Sequence, residues 1–232
     1  MKLLLIIPCY NEEKNILKVI TEIRNKYCEY DYIVINDGSS DNSEKVLRKY
    51  NINHISHLVN CGLAVTFQTG IKWALQQEVH YDAVCQFDAD GQHLPYYLPQ
   101  MLNTLYDTEV DIVIGSRMKK GGQNVFEGIS KRICQRILSD IIWYFTKNRI
   151  TDPTSGFRMY KDTVYNIFAT ENIVTPEPDG IVYLLKHNFI VKEIPVQMKE
   201  REYGESYLTI TKAIKYMANI ISSIIFIQWW KK

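Results

Sequence analysis

Through the first half of the chain, short β-branched apolar runs alternate with segments whose apolar residues recur every three or four positions, the periods of strand and helix. The runs fall at residues 3–7, 32–35, 83–87 and 112–114, with a weaker one at 52–56. Helical patterns occupy the spaces between them, at 12–26, 43–50, 63–77 and 95–106. Asp41, Asn42 and Ser43 supply cap-type side chains for the second helix, and Pro95 suits a first helical turn. Strands joined by crossover helices predict an α/β fold built on a mostly parallel sheet flanked by helices.

Beyond Gly115 the rhythm changes. Lys119-Lys120-Gly121-Gly122-Gln123-Asn124 is polar and glycine-bearing and reads as a mobile loop. A helix over 129–146 follows, then the turn-rich Asp152-Pro153-Thr154-Ser155-Gly156, a short helix over 180–187 and a strand over 189–196. Pro195 cannot donate to a ladder, so that strand belongs at a sheet edge. The stretch 213–230 is mostly apolar but broken by Lys215, Asn219, Ser222, Ser223 and Gln228, and it leads to Trp229-Trp230-Lys231-Lys232. A spanning helix needs about 20 mainly apolar residues, so this one reads as a C-terminal amphipathic helix. It lies at a membrane interface, or packs on its own domain or on a partner subunit.

Composition narrows the function. With 232 residues, 46% hydrophobic and 23% charged, the chain can bury one sizeable core. A net charge of +1 and the lack of a basic stripe argue against nucleic acid as a partner. Five scattered cysteines without a Cys-x-x-Cys pair match neither a disulfide framework nor a zinc site and point to a reducing cytosol. The apolar run before Pro8 is too short for a signal-peptide core and is read as the first strand.

Candidate chemistry sits where the strands end. Side chains two apart on an extended chain point the same way, so Asp88 and Asp90, after the fourth run, present two carboxylates to one side. Open α/β sheets bind ligands at the carboxyl ends of their strands, and Mg²⁺ is held there by one or two carboxylates plus substrate phosphates. Gln92 and His93 add a further ligand or a contact behind it. Asp-x-Asp alone is not diagnostic, because acidic pairs in turns are commonly solvated or capping. The first strand runs into Pro8-Cys9-Tyr10-Asn11-Glu12, with a ring for stacking and a carboxylate. The second runs into Asn36-Asp37-Gly38-Ser39-Ser40-Asp41, where Asp37 can accept from ribose hydroxyls or a base amide, while Asp41 is the better N-cap. Neither Gly-x-Gly-x-x-Gly nor a P-loop is present, so anion neutralisation falls to a metal and to cations such as Arg117 and Arg201, unless these form surface ion pairs. Glu177 and Asp179 either act as a base or favour the start of the helix over 180–187. His54, His57, His80 and His187 form no constellation and are read as structural or solvated.

The ordered set Pro8-Cys9-Tyr10-Asn11-Glu12, Asp37-Gly38-Ser39-Ser40-Asp41, Asn60-Cys61-Gly62-Leu63, Asp88-Ala89-Asp90-Gly91-Gln92-His93-Leu94-Pro95, Gly115-Ser116-Arg117, Asp152 to Arg158, and Glu193-Ile194-Pro195-Val196 with Arg201 and Gly204-Glu205-Ser206 spans residues 8–206. With these motifs the chain resembles the inverting family 2 glycosyltransferases of GT-A (Rossmann-like) fold, and most closely their polyprenyl-phosphate sugar synthase branch. The resemblance implies a transferase domain over 1–208, with a nucleotide-sugar half at 1–117 and an acceptor half at 118–208, followed by a C-terminal helix over 209–232. It implies that Pro8, Tyr10, Glu12, Asp37, Asp88, Ala89 and Asp90 hold the nucleotide and that Asp88, Asp90 and Gln92 bind Mg²⁺ or Mn²⁺. Arg117 and Arg201 then face the diphosphate or the acceptor phosphate, and Glu177 or Asp179 lies near the acceptor. One departure is Tyr207, where the family often has lysine; a phosphate-binding cation is missing there or comes from elsewhere, such as Lys119-Lys120.

The expected reaction moves a hexose from a UDP- or GDP-sugar to a polyprenyl phosphate, in the cytoplasm, at the inner face of the membrane or with a separate membrane subunit. A phosphate acceptor, with a second pKa of about 6, is already ionised, whereas a hydroxyl on a lipid-linked glycan would need a carboxylate base. Two other classes fit the residues less well. A phosphohydrolase with Asp88 as nucleophile is disfavoured by Gly91 and Gln92 after a strand deep in the chain. A non-catalytic sugar-nucleotide-binding subunit is disfavoured because both aspartates and both arginines remain.

Overall fold

The computed structural model describes residues 1–106, 109–122, 129–170, 175–200 and 210–230, with the side chains of 129–131, 210–214 and 227–230 outside the description. In chain order the elements are β1 (Leu3–Cys9), α1 (Ile16–Lys26), β2 (Asp31–Asn36), α2 (Ser43–Lys49), β3 (His54–Ser56), α3 (Leu63–Leu75), β4 (Ala83–Gln86), α4 (Leu98–Tyr106, led by a 3-10 turn at Pro95–Tyr97), β5 (Ile112–Ser116), α5 (Ile129–Thr146), β6 (Arg158–Lys161), α6 (Asp162–Thr170), α7 (Pro178–Lys186), β7 (Val191–Pro195) and α8 (Ile210–Trp230).

Seven strands form one sheet in the order β3-β2-β1-β4-β6-β5-β7. All pairings are parallel except those of β6, which runs antiparallel between β4 and β5. The sequence rhythm anticipates the parallel strands and misses β6 and α6, because four residues, Arg-Met-Tyr-Lys, show neither alternation nor an apolar run. β7 holds the edge; Val196 donates to the Ser116 carbonyl at 3.0 Å, so the nitrogen of Pro195 turns outward, where no ladder bond is lost.

β1 lies near the middle of the sheet and is buried on both faces, which is why its pattern is continuous rather than alternating. Leu3, Leu5 and Ile7 face α1, α2 and α4 through Val19, Ile23, Leu47, Met101 and Leu105. Leu4 and Ile6 face the other layer, with Phe67 and Ile71 of α3, Phe168 of α6, Leu138 of α5, Leu184 of α7 and Ile220 and Ile224 of α8. Each such aliphatic side chain contributes about 1.5–3 kcal/mol by leaving water. α8 is therefore packed on its own chain along one face, while Ile225 and Phe226 on another face are exposed. Among the described residues no helix is long and apolar enough to cross a membrane.

The connection leaves β1 for β2 on one side, and later crosses to β4 on the other. A crevice opens where strand order reverses, above the carboxyl ends of β1 and β4, and this topological switch point is where such sheets take ligands.

Candidate active site

The loops after β1 and β2 are laced together above that crevice. Asn11, at φ 58, points its Oδ1 at the next loop, where it accepts from the Ser40 amide at 2.8 Å. In return the Ser39 hydroxyl accepts from the Asn11 amide at 3.0 Å, and Asp41 accepts from the amides of Glu13 and Ser43. These turns delay α1, which starts at Ile16 rather than at the expected residue 12. Pro8 sits in β1 opposite Ile35, Tyr10 is 38% exposed and available for stacking, and Glu12 is buried, its carboxylate accepting from the Asn15 amide group at 2.6 Å.

Asp37 is buried and more heavily engaged than a free nucleoside contact would be. It accepts from the backbone amides of Cys61 at 2.9 Å and Gly62 at 2.8 Å, and pairs with His57 Nδ1 at 2.8 Å. Gly38, at φ +64, allows this approach, since a Cβ there would lie 2.4 Å from the Val59 carbonyl carbon. His57, read from sequence as lacking a constellation, thus has one, and its Nε2 meets Thr69 Oγ1 at 2.9 Å. Twenty residues separate it from Asp37, so no local pattern announces it.

β4 ends at Gln86, and Asp88, Ala89 and Asp90 lie in the turn beyond it. Strand alternation therefore does not orient the two carboxylates; the turn does. The Gln92 amide donates to Asp90 Oδ1 at 3.0 Å, and the Asp88 amide donates to His93 Nδ1 at 3.0 Å. Because Nδ1 accepts, the ring proton sits on Nε2, which faces Asp88 Oδ2 at 3.5 Å. His93 is buried, stacked on Phe157 with centroids 4.6 Å apart. Burial, with a smaller push from Arg117 against an opposing pull from Asp90, lowers its pKa to about 4. It is a neutral prop beneath the Asp88 carboxylate.

The other half of the site closes over this turn. A Cβ on Gly156 would lie 3.2 Å from Asp88 Oδ2, so glycine leaves the carboxylate its room. Two carboxylates are the donor type of a hard divalent cation, and the sole cluster of three His, Cys, Asp or Glu ligands among the described residues lies elsewhere. Gln92 is fixed by its amide nitrogen to the Lys199 carbonyl at 3.3 Å. A small cleft beside Asp90 is lined by Asn15, Lys18, Gly91, His93 and Lys199. A larger pocket of about 600 Å³, lined by Tyr27, Tyr96, Asn103 and Lys192, contains none of the expected site residues.

Arg117 is neither a lone cation nor a surface pair: its guanidinium forks onto the fully buried Asp152, at 2.7 and 2.8 Å. Asp152 is placed by its own amide, which donates to Glu193 Oε1 at 2.9 Å. Lys119 gives its ammonium to the Glu193 carbonyl at 2.5 Å. Buried Arg158 clamps three carbonyls, those of Ser155, Pro153 and Pro176, at 2.6–2.7 Å. Glu177 stands at the N-cap of α7 and bonds the Tyr216 hydroxyl of α8; burial raises its pKa, partly offset by that bond and by Arg158. Asp179, in the first turn, accepts from Ser223 Oγ at 2.6 Å. Arg201 lies outside the described residues, as do Gln123, Asn124 and the segment 204–207. Asp152, Arg158 and Tyr216 escaped the sequence reading of roles; their partners lie far along the chain.

A sheet of this order, with paired carboxylates at its switch point, has the architecture of GT-A glycosyltransferases. The model of "Glycosyl transferase family 2" matches residues 4–173, and the chain belongs to that family. An undecaprenyl-phosphate mannosyltransferase of Micrococcus luteus is 27% identical over 221 residues, 90% of this chain and 88% of its own. A UDP-N-acetylglucosamine–dolichyl-phosphate N-acetylglucosaminyltransferase of Methanococcus voltae is 28% identical over 221 residues, covering 86% of each. Among solved structures, glucosyl-3-phosphoglycerate synthase of Mycobacterium tuberculosis, in complex with Mn²⁺, UDP and phosphoglyceric acid, superposes with a TM-score of 0.68 at 14% identity, over 97% of this chain and 77% of that one. The protein is a glycosyltransferase.

Proposed function

We propose that the protein moves a hexose from a UDP- or GDP-sugar to a polyprenyl phosphate, with inversion. The observation that carries the reading is the Asp88-Ala89-Asp90 turn beside Gly156 at the switch point, in a family member whose similarity to polyprenyl-phosphate transferases runs over most of both chains. Pro8, Tyr10, Glu12 and Asp37 hold the nucleoside, with Ala89 against it. Asp88 and Asp90, with Gln92, hold Mg²⁺ or Mn²⁺, which when bound stabilises charge growing on the departing diphosphate. His93 keeps the Asp88 carboxylate turned toward that position. Arg117, oriented by Asp152, and Arg201 face the diphosphate or the acceptor phosphate.

The carboxylates argue for a phosphate acceptor. Glu177 and Asp179 are tied to hydroxyls of α8, an arrangement suited to holding that helix rather than to drawing a proton from a sugar hydroxyl. A phosphate monoester, largely ionised at neutral pH, needs no such base. Transfer to a lipid-linked glycan hydroxyl is the second reading, and it would recruit one of these carboxylates. Access to a lipid carrier is supported by the outer face of α5, where exposed Ile133, Ile137 and Tyr144 are flanked by Arg132, Arg136 and Lys147, the basic–apolar pattern of helices at the inner face of a membrane.

A panel of UDP- and GDP-sugars with Mn²⁺ and a polyprenyl phosphate in detergent tests the proposal. Label should pass into an organic-extractable product, and Asp90→Ala should reduce the rate about 10²–10³-fold without unfolding the protein. Failure of every sugar nucleotide to bind, or label only in water-soluble product, would refute it.

A further inference from the structure

Among the described residues outside the Asp88–Asp90 turn, one group of side chains has the chemistry of a metal seat. Asp37, His57 and Cys61 each offer a ligand atom, and those atoms lie within 4.8 Å of one another. No sequence spacing announces the group, because it spans the end of β2, the end of β3 and the loop before α3. We propose that Asp37 Oδ1, His57 Nδ1 and Cys61 Sγ form a second divalent-cation site, selective for a borderline metal such as Zn²⁺, at the nucleoside end of the crevice.

The donor set decides the cation. Two carboxylates suit Mg²⁺ or Mn²⁺, whereas a thiolate, an imidazole and a carboxylate are the ligands of Zn²⁺ and Co²⁺. Cys61 is exposed, so a fourth position opens to solvent, and Asp37 and His57 are largely covered, with side chains 6% and 14% exposed. The carboxylate is already aimed: the Cys61 and Gly62 amides occupy one lone pair on each oxygen, and the second lone pair of Oδ1 meets His57 Nδ1 at 2.8 Å, across a proton whose place a cation would take. The imidazole is also backed from behind. When Nδ1 binds metal its ring proton lies on Nε2, where Thr69 Oγ1 accepts it at 2.9 Å while giving its own hydroxyl hydrogen to the Val65 carbonyl at 3.0 Å. That is the outer hydrogen bond which fixes a metal-binding histidine. Binding displaces two protons, that of the Cys61 thiol, which goes to solvent, and the one His57 Nδ1 shares with Asp37 Oδ1, whose place the cation takes; no oxidant or reductant is involved.

The consequence rests on the assignment of Asp37 to the nucleoside: a cation here withdraws Asp37 from the donor, so Zn²⁺ acts as a competitor of the sugar nucleotide rather than as a substitute for Mg²⁺. The site itself is tested without any donor. Co²⁺ added to the purified, metal-free protein should give a thiolate-to-cobalt charge-transfer absorption, lost in Cys61→Ser and displaced by Zn²⁺. Asp88→Asn should leave the absorption unchanged, and Thr69→Val should weaken Co²⁺ binding about 10–100-fold. Absence of the absorption from the wild-type protein would overturn the proposal, and so would its survival in Cys61→Ser, which would trace it to another thiol such as exposed Cys28. Because this readout contains no sugar nucleotide, it can fail while the transferase reading stands, and the reverse.

Discussion

The two halves of the site are held by different kinds of bond. In the loops after β1 and β2, Asn11, Asp37 and Asp41 are fixed chiefly by backbone amides of neighbouring loops. Around β5, β6 and α7, charged groups hold one another, a hydroxyl or the carbonyls of distant loops: Arg117 with Asp152, Arg158 with Pro153, Ser155 and Pro176, Glu177 with Tyr216. Loops that clamp each other through amides lose only modest, partly exposed bonds when a side chain such as Asn11 is cut. A buried cation serving three carbonyls loses everything at once, so the region around β6 and α7 is the more brittle.

The sharpest break of that contrast is Arg158→Met, which fills the space but leaves three buried carbonyls and Glu177 without their cation. The expected cost is about 3–5 kcal/mol, a large part of a domain's stability. Asn11→Ala, which frees amides at an exposed loop, should cost about 1 kcal/mol. Urea unfolding of both variants measures the difference; equal losses would show that the two halves are held alike.

The same contrast explains what the sequence tells. The positions of Asp88, Asp90 and Pro8 are legible because β1 and β4 are continuous apolar runs that lead to them. The edge strand is legible from Pro195 alone. β6 is not, since Arg158–Lys161 takes its burial from strands on either side and carries a buried arginine where the pattern wants an apolar residue. Likewise the fork of Arg117 on Asp152 joins residues 35 apart, and the bond from Tyr216 to Glu177 joins residues 39 apart. Ordered motifs identify such residues as present, but only folding shows that an arginine expected to face phosphate is first committed to a carboxylate.

His93 stands between the halves and gives a smaller, pH-dependent effect. Its folded pKa of about 4 lies below the ordinary 6.5, so the unfolded chain binds the extra proton between those values. The stability contributed by the neutral ring is complete above about pH 6.5 and is lost as the pH falls toward 4, by up to about 3 kcal/mol. His93→Asn keeps an acceptor for the Asp88 amide and removes the titration. In chelator-treated protein its unfolding midpoint should vary less between pH 4 and 6.5 than that of the wild type; parallel pH profiles would mean that the ring is protonated in the folded state.

The smallest effect concerns α8, which the carboxylates of α7 tether at two points. Tyr216→Phe removes one hydroxyl and leaves Glu177 buried with Arg158 as its remaining partner, so the loss should be about 1–2 kcal/mol. Ser223→Ala should cost about 1 kcal/mol by releasing one oxygen of Asp179. Neither bond touches β1 or α3, so the loss should be local. Hydrogen exchange should accelerate along α8 and the first turn of α7 while the amides of α3 keep their protection. Acceleration spread evenly over both layers would mean that α8 unfolds only with the whole sheet, and that the region around α7 and α8 is no more separable than the loops after β1 and β2.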